Sequence, residues 1–193
     1  MSRKVSIVFH SVCGNNFLMA KEFYNEFSRC GAEVQIMRVK DPNYTELASQ
    51  FAVAGQYKNE ILNIQEATVD KLLESDIIIM GSPTYFGNVS GAMKSFMDTF
   101  APYWTEAAFW GKKLFSFTSC GNSEGGGDMC LNTINIFGQH MGMTNVPVPA
   151  NLLSSQSFPA YGLIHYAGDY ANMRPSRDVL LAIREMTERL MSL

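Results

Sequence analysis

Three short segments of this 193-residue chain combine small, hydroxylated and amide side chains in a way that suits an anionic or planar ligand. The first is Ser11-Val12-Cys13-Gly14-Asn15-Asn16, between an apolar run and an amphipathic one. A loop that opens a helix leaves backbone N–H groups unpaired and sets the positive end of the dipole beside them, so it suits phosphate. Ser11, Asn15 and Asn16 add short donors, and Gly14 permits a tight turn. The loop has no Lys or Arg, no ATP-type P-loop spacing and no G-x-G-x-x-G, leaving a phosphate monoester held by neutral donors, or an ordinary capped turn.

The second segment runs from Gly81 to Ser90. Pro83 stiffens it, Gly87 permits close approach, and Tyr85 and Phe86, between Thr84 and Asn88, supply flat apolar surface. A planar heteroaromatic ring needs such a platform with donors along its polar edge; the plainer alternative is that both rings pack into the core. The third segment is Ser119-Cys120-Gly121-Asn122-Ser123-Glu124-Gly125-Gly126-Gly127. Its glycines fit either close backbone approach to a ligand or a flexible surface loop.

These segments follow short β-branched or aromatic runs, and that sets the fold class. Val5–Phe9, Glu33–Met37, Ile77–Met80 and Leu114–Phe117 read as strands, and the unbroken apolar run Ile77–Met80 suits a central parallel strand covered on both faces. Helical spacing is expected from Asn15 or Asn16 (both good caps) to Gly31, from Ser90 through Phe100, from Asp128 to Met141, and from Pro175 to Met191. A further helix fits around Glu46–Ala54. A fifth strand, Thr144–Val148, contains Pro147 and belongs at a sheet edge. Alternation of this kind predicts one α/β domain spanning 1–193. Its five-stranded parallel sheet is doubly wound in the order 2-1-3-4-5, with helices on both faces. In such a sheet the three segments above all lie beyond the carboxyl ends of strands, where ligands bind. The stretch Asn151–Arg174 lacks periodicity but is rich in aromatics, so it is either a loop over the sheet edge or a lid or subunit contact.

Composition narrows the function. With 15 Lys+Arg against 18 Asp+Glu and a net charge of −3, there is no basic face for nucleic acid or anionic lipid. No apolar run approaches the roughly 18 residues of a membrane span, and Val5–Phe9 is too short for a signal peptide, so a cytoplasmic protein is expected. Cys13, Cys30, Cys120 and Cys130 show neither C-x-x-C nor zinc spacing, which fits reduced thiols and no metal. Cys13, near a helix start, is either a thiol of lowered pKa or an inert turn residue.

The segments HSVCGNN, GSPTYFGNVSGAMKSFMDTF, WGKKLFSFTSCGNSEGGGD and AGDYANMRPS, in this order over nearly the whole chain, resemble the flavodoxin-like NAD(P)H:quinone oxidoreductases of the WrbA type. The resemblance implies FMN as cofactor and NAD(P)H as co-substrate. Ser11, Val12, Cys13, Gly14, Asn15 and Asn16 would hold the phosphate. Pro83, Thr84, Tyr85, Phe86, Gly87 and Asn88 would flank the isoalloxazine, and Ser119, Cys120, Gly121, Asn122, Gly125 and Gly126 would close its other side. Trp104 falls where the family has an aromatic wall of the substrate pocket, and His140 where it has a flavin-site histidine from a neighbouring subunit of a homodimer or homotetramer. The chain departs from the family at Cys13, usually an aromatic that helps receive the nicotinamide nucleotide, and at Tyr85, often a basic residue. The third segment is also longer by a residue or two before Gly125. The expected activity is hydride transfer from NAD(P)H to a quinone or similar flat acceptor by ping-pong kinetics. An FMN electron carrier and a redox-responsive interaction protein are the alternatives, although carriers are typically far more acidic than this chain.

Overall fold

A computed structural model describes residues 2–193. In chain order the elements are β1 (Lys4–Phe9), α1 (Asn15–Arg29), β2 (Glu33–Arg38), α2 (Tyr44–Ser49), α3 (Lys58–Asn63), α4 (Val69–Leu72), β3 (Ile77–Pro83) and α5 (Gly91–Asp98). They continue as α6 (Ala101–Trp104), β4 (Lys113–Cys120), α7 (Gly127–His140), β5 (Thr144–Asn145), β6 (Leu163–Tyr166) and α8 (Arg177–Ser192). All strand pairs are parallel, in the order β2-β1-β3-β4-β5.

The apolar run at the start of β3 explains its central place. Ile77 and Ile79 pack with α1 and α8 on one face, and Ile78 and Met80 with α4, α5 and α7 on the other. Parallel strands covered on both faces have no side free for polar residues. Ser90 caps α5 by accepting from the Met93 amide, and Ser176 caps α8 in the same way through Val179.

The fifth strand position departs from the sequence reading. Strand pairing of β5 ends at Asn145, two residues before Pro147, which has no N–H to donate. The chain then packs across the sheet edge, burying Val148 and Leu152, and returns as β6 beside the upper half of β4, with Phe117 opposite Leu163 and Cys120 opposite Tyr166. The sheet therefore has six strands rather than five, and the stretch from Asn151 to Arg174, read as a loop over the sheet edge or a lid or subunit contact, contains one of them. No helix among the described residues is long and apolar enough to cross a membrane.

Candidate functional site

The loops after β1, β3 and β4 converge at the carboxyl edge of the sheet. Gly14 adopts φ +95° and opens α1, and its amide donates to Ser11 Oγ at 3.2 Å. Among the described residues, the amides of Val12, Cys13, Asn15 and Asn16 have no partner, so a cluster of free donors surrounds the start of a 15-residue helix. Asn15 and Asn16 do not cap that helix, contrary to the sequence reading. Asn15 Nδ2 donates to Ala171 O at 2.9 Å and Asn16 Nδ2 to His10 O at 3.2 Å, while Asn16 Oδ1 is buried with no partner. A Cβ at position 14 would lie 2.4 Å from the Tyr57 ring, so the turn requires glycine for space as well as conformation.

The loop after β3 is a tight two-residue hairpin. Tyr85 and Asn88 exchange backbone hydrogen bonds of 2.9 and 3.0 Å, and the residues between them, Phe86 and Gly87, have φ of +52° and +72°. Positive φ at both central positions defines a type I′ turn, for which Asn-Gly is the favoured pair and phenylalanine is a poor first residue. The Phe86 ring is wholly exposed. Tyr85 is partly buried, and burial pushes its phenol up to about 12. Thr84 fastens this loop to its neighbour through its amide to Ser119 O and its hydroxyl to Thr118 Oγ1, each at 2.8 Å.

The loop after β4 divides in two. Ser119, Cys120 and Gly121 face a cavity of about 190 Å³ that they share with Ser11, Val12, Cys13 and Asn15 of the first loop and Pro83, Thr84 and Tyr85 of the second. Asn122 instead turns the chain on itself, accepting from the Glu124 amide and, through its carbonyl, from the Gly125 amide. Gly126 opens α7 so close to Gly87 that a Cβ there would lie 2.7 Å from the Gly87 Cα. Gly14, Asn16, Phe86, Gly87, Asn88, Asn122, Gly125 and Gly126 thus shape or border the cavity without lining it.

Residues the sequence reading missed complete the cavity. Beyond β6, the Ala167 and Gly168 amides donate to Cys120 O and Gly121 O at 2.7 and 2.9 Å, carrying the chain across the cavity as a strap. The strap ends in Arg174, whose guanidinium donates to Cys13 O at 2.7 Å, Asn15 Oδ1 at 3.2 Å and Gln56 Oε1 at 2.7 Å. Its centre also lies 5.1 Å from the Tyr57 ring centroid. The first loop has no charge of its own, but the fold brings one to it. Even so, burial outweighs Arg174 at Cys13 and pushes that thiol up to about 11, against the reading of a lowered pKa at this cysteine. Burial likewise raises Cys120 to about 11.

Trp104 and His140 are not brought to these loops. Both are exposed at the opposite edge of the sheet, where the Gly111 amide donates to Gly142 O and Lys113 pairs with Thr144. Helices α5 and α7 run antiparallel to the strands, so residues at or beyond their ends lie at the amino edge.

The arrangement suits FMN. The free amides and Arg174 match a phosphate, the unpaired Asn16 Oδ1 matches a hydroxyl donor, and the exposed Phe86 beside Tyr85 matches a flat ring.

Known proteins with the same architecture include a WrbA-like flavodoxin from Agrobacterium tumefaciens, 19% identical, covering 99% of this chain and 96% of that one with a TM-score of 0.65. Oxidised flavodoxin 1 from Bacillus cereus is 16% identical, with 98% and 97% covered and a TM-score of 0.67. In sequence, a protein named NAD(P)H dehydrogenase (quinone) from Geobacter metallireducens is 31% identical over 94% of this chain and 92% of its own length. One of the same name from Syntrophobacter fumaroxidans is 30% identical over the same shares. The family model described as NADPH-dependent FMN reductase matches residues 6–157, most of the sheet and all three loops. The chain belongs to the NADPH-dependent FMN reductase family.

Proposed function

We propose that the protein binds FMN in the carboxyl-edge cavity and passes two electrons from NAD(P)H to a quinone or similar flat acceptor. The observation that carries this reading is a cavity lined by the residues of the helix-start loop with unpaired amides, a guanidinium tied to the back of that loop, and an exposed aromatic on a strained turn at its border. Strain of this kind persists where the surrounding structure enforces it and is concentrated at ligand sites. When bound, FMN supplies the hydride chemistry.

The chain's own groups bind and orient. The amides of Val12, Cys13, Asn15 and Asn16 donate to phosphate oxygens, and Arg174 balances their charge from behind the loop. Asn16 Oδ1, buried beside the loop without a partner, would offer an acceptor to a hydroxyl of the sugar-alcohol chain. Thr84, Ser119, Cys120 and Gly121, with Pro83 and Tyr85, line the cavity that would hold it. Phe86 and Tyr85 give the ring its apolar seat, and the Tyr85 phenol, raised to about 12, stays neutral at physiological pH and serves as a donor.

Reductant and acceptor occupy the same open face in turn, which gives ping-pong kinetics; a ternary complex would refute the shared face. Trp104 and His140 reach a flavin only in another copy of the chain, in a homodimer or homotetramer. Absorbance of the purified protein is the first test. Yellow protein with near-ultraviolet and blue maxima, turning over NADH or NADPH with benzoquinone, is the expected outcome. Colourless protein that ignores added FMN overturns the reading.

A further inference from the structure

One carboxylate faces the carboxyl-edge cavity. Of the residues that line it, Asp169 is the only Asp, Glu, Lys or Arg. The other groups there that could ionise are Cys13, Cys120 and Tyr85. Burial pushes them up to about 11, about 11 and about 12, so all three are neutral at physiological pH. Arg174 does not line the cavity but reaches the first loop through Cys13 O, and among the described residues Asp169 belongs to no ion pair. The cavity wall therefore carries one uncompensated negative charge.

The strap holds this carboxylate in place from both sides. The Gly168 amide donates to Gly121 O, the Ala171 amide to Gly168 O and Asn15 Nδ2 to Ala171 O, each at 2.9 Å. Asp169 thus sits at the corner of a four-residue turn, pinned to the loop after β4 at one end and to the first loop at the other. Asn122 Nδ2 donates to Asp169 Oδ1 at 3.2 Å, and that oxygen stands 3.2 Å from where a Cβ at Gly121 would lie. Ala171 closes the turn with φ +53°, an unfavourable conformation for a residue with a β-carbon. The Asp169 side chain is exposed, so core packing does not account for its position. What this much local restraint secures is a charge at the cavity wall.

We propose that Asp169 sets the reduction potential of the bound flavin, holding it low through its charge; the proposal rests on the FMN reading above. Two electrons and one proton convert the neutral oxidised ring into an anionic hydroquinone. A fixed negative charge at the cavity therefore opposes reduction more than it opposes binding of the oxidised form. NAD(P)H gives the electrons and the proton together as hydride, and the acceptor takes them with one further proton from solvent. The carboxylate thus moves driving force from the first transfer to the second. At the separations a cavity of this size allows, on the order of 10 Å, an exposed unit charge changes such an equilibrium by about threefold to tenfold.

The test compares the parent, Asp169→Asn and Asn122→Ala, each loaded with FMN and reduced slowly by xanthine and xanthine oxidase beside a reference dye. Absorbance then reads the two-electron midpoint potential. Asp169→Asn removes the charge and keeps an acceptor for Asn122. It should raise the midpoint by about 15–30 mV, the threefold to tenfold change expressed for a two-electron couple. The rise should shrink as salt increases from about 0.02 to about 0.5 M, because exposed charges are screened. Asn122→Ala unties the carboxylate but leaves its charge, and should move the midpoint less than half as far. A structural role of the strap would instead move both variants alike at every salt concentration. An unmoved or lowered midpoint in Asp169→Asn, a rise that salt leaves unchanged, or an equal rise in Asn122→Ala would each overturn the proposal. A fluorescence titration with FMN separates it from the reading it rests on: parent protein that binds no FMN overturns both, and parent protein that binds FMN with a midpoint indifferent to Asp169→Asn overturns this proposal alone.

Discussion

Phe86→Asn should stabilise the protein and weaken its hold on FMN at the same time. Phe86 has φ +52° with its ring wholly exposed, so the native state bears the backbone strain and gains no burial from the side chain. For a bulky residue the left-handed region costs about 1–2 kcal/mol, whereas asparagine adopts it readily and Asn-Gly is the favoured pair for this turn. With Gly87 already in place, the substitution should raise the stability of the FMN-free protein by about 1 kcal/mol. For a chain of this size that is about 2–4 °C in Tm by calorimetry. Loss of the aromatic surface removes about 0.5–1.5 kcal/mol of stacking, which raises the Kd for FMN by roughly twofold to twelvefold in a flavin-fluorescence titration. Phe86→Ala separates the two effects, because it deletes the ring but keeps a β-carbon at positive φ. It should weaken FMN binding equally with little gain in Tm. A Phe86→Asn protein that melts lower without FMN, or that binds FMN as tightly as the parent, would refute the argument that the strain is held for the ligand.

Three further outcomes test other parts of the fold. Arg174→Ala removes a charge-assisted bond to Cys13 O, and FMN binding should weaken by about tenfold to a hundredfold; riboflavin, which has no phosphate, should lose much less, and equal losses would show that Arg174 acts only on the strap. His165 is buried with Nε2 donating to Met173 O at 2.8 Å, and burial lowers its pKa below the ordinary value near 6.5. Above that value both states are neutral. As pH falls below it the unfolded chain takes up the proton first, so stability declines until the folded pKa is passed; His165→Gln should flatten that decline in urea titrations between pH 7.5 and 5. Gly81→Ala would set a Cβ 2.0 Å from the buried Phe117 ring and should destabilise by about 1–3 kcal/mol or more, with Phe117→Leu restoring part of the loss in the double variant.

The fold was legible where local pattern and tertiary demand coincide. Ile77–Met80 names a central strand because only a site covered on both faces tolerates four apolar residues in a row, and Ser90 names a helix start because its hydroxyl has an orphan amide to meet. Two features were not legible. β6 is four residues long and contains a histidine, and what makes it a strand is the free upper edge of β4, left open once Pro147 turns the chain away from pairing. The start of α1 was read from Asn15 and Asn16 as caps, but a left-handed Gly14 opens the helix, which frees both amide side chains to reach Ala171 and His10.

The candidate site shows the same division more sharply at its charge. Its loops are contiguous in sequence and could be read directly; its cation arrives from 161 residues away, as the lone charged side chain in Tyr170–Ser176. The placement has a mechanical consequence that a lysine inside the loop would lack. A peptide group is planar, so its C=O and the following N–H point in opposite directions. By holding Cys13 O at 2.7 Å, Arg174 fixes the plane of the Cys13–Gly14 peptide and turns the Gly14 amide onto Ser11 Oγ, closing the loop into the shape that leaves its other amides free. Anion binding and loop geometry therefore depend on one side chain. Arg174→Lys tests that coupling: it keeps the charge but loses the fork that spans Cys13 O, Asn15 Oδ1 and Gln56 Oε1. FMN affinity should fall between parent and alanine variant; parent-like affinity in the lysine variant would reduce the role of Arg174 to charge alone.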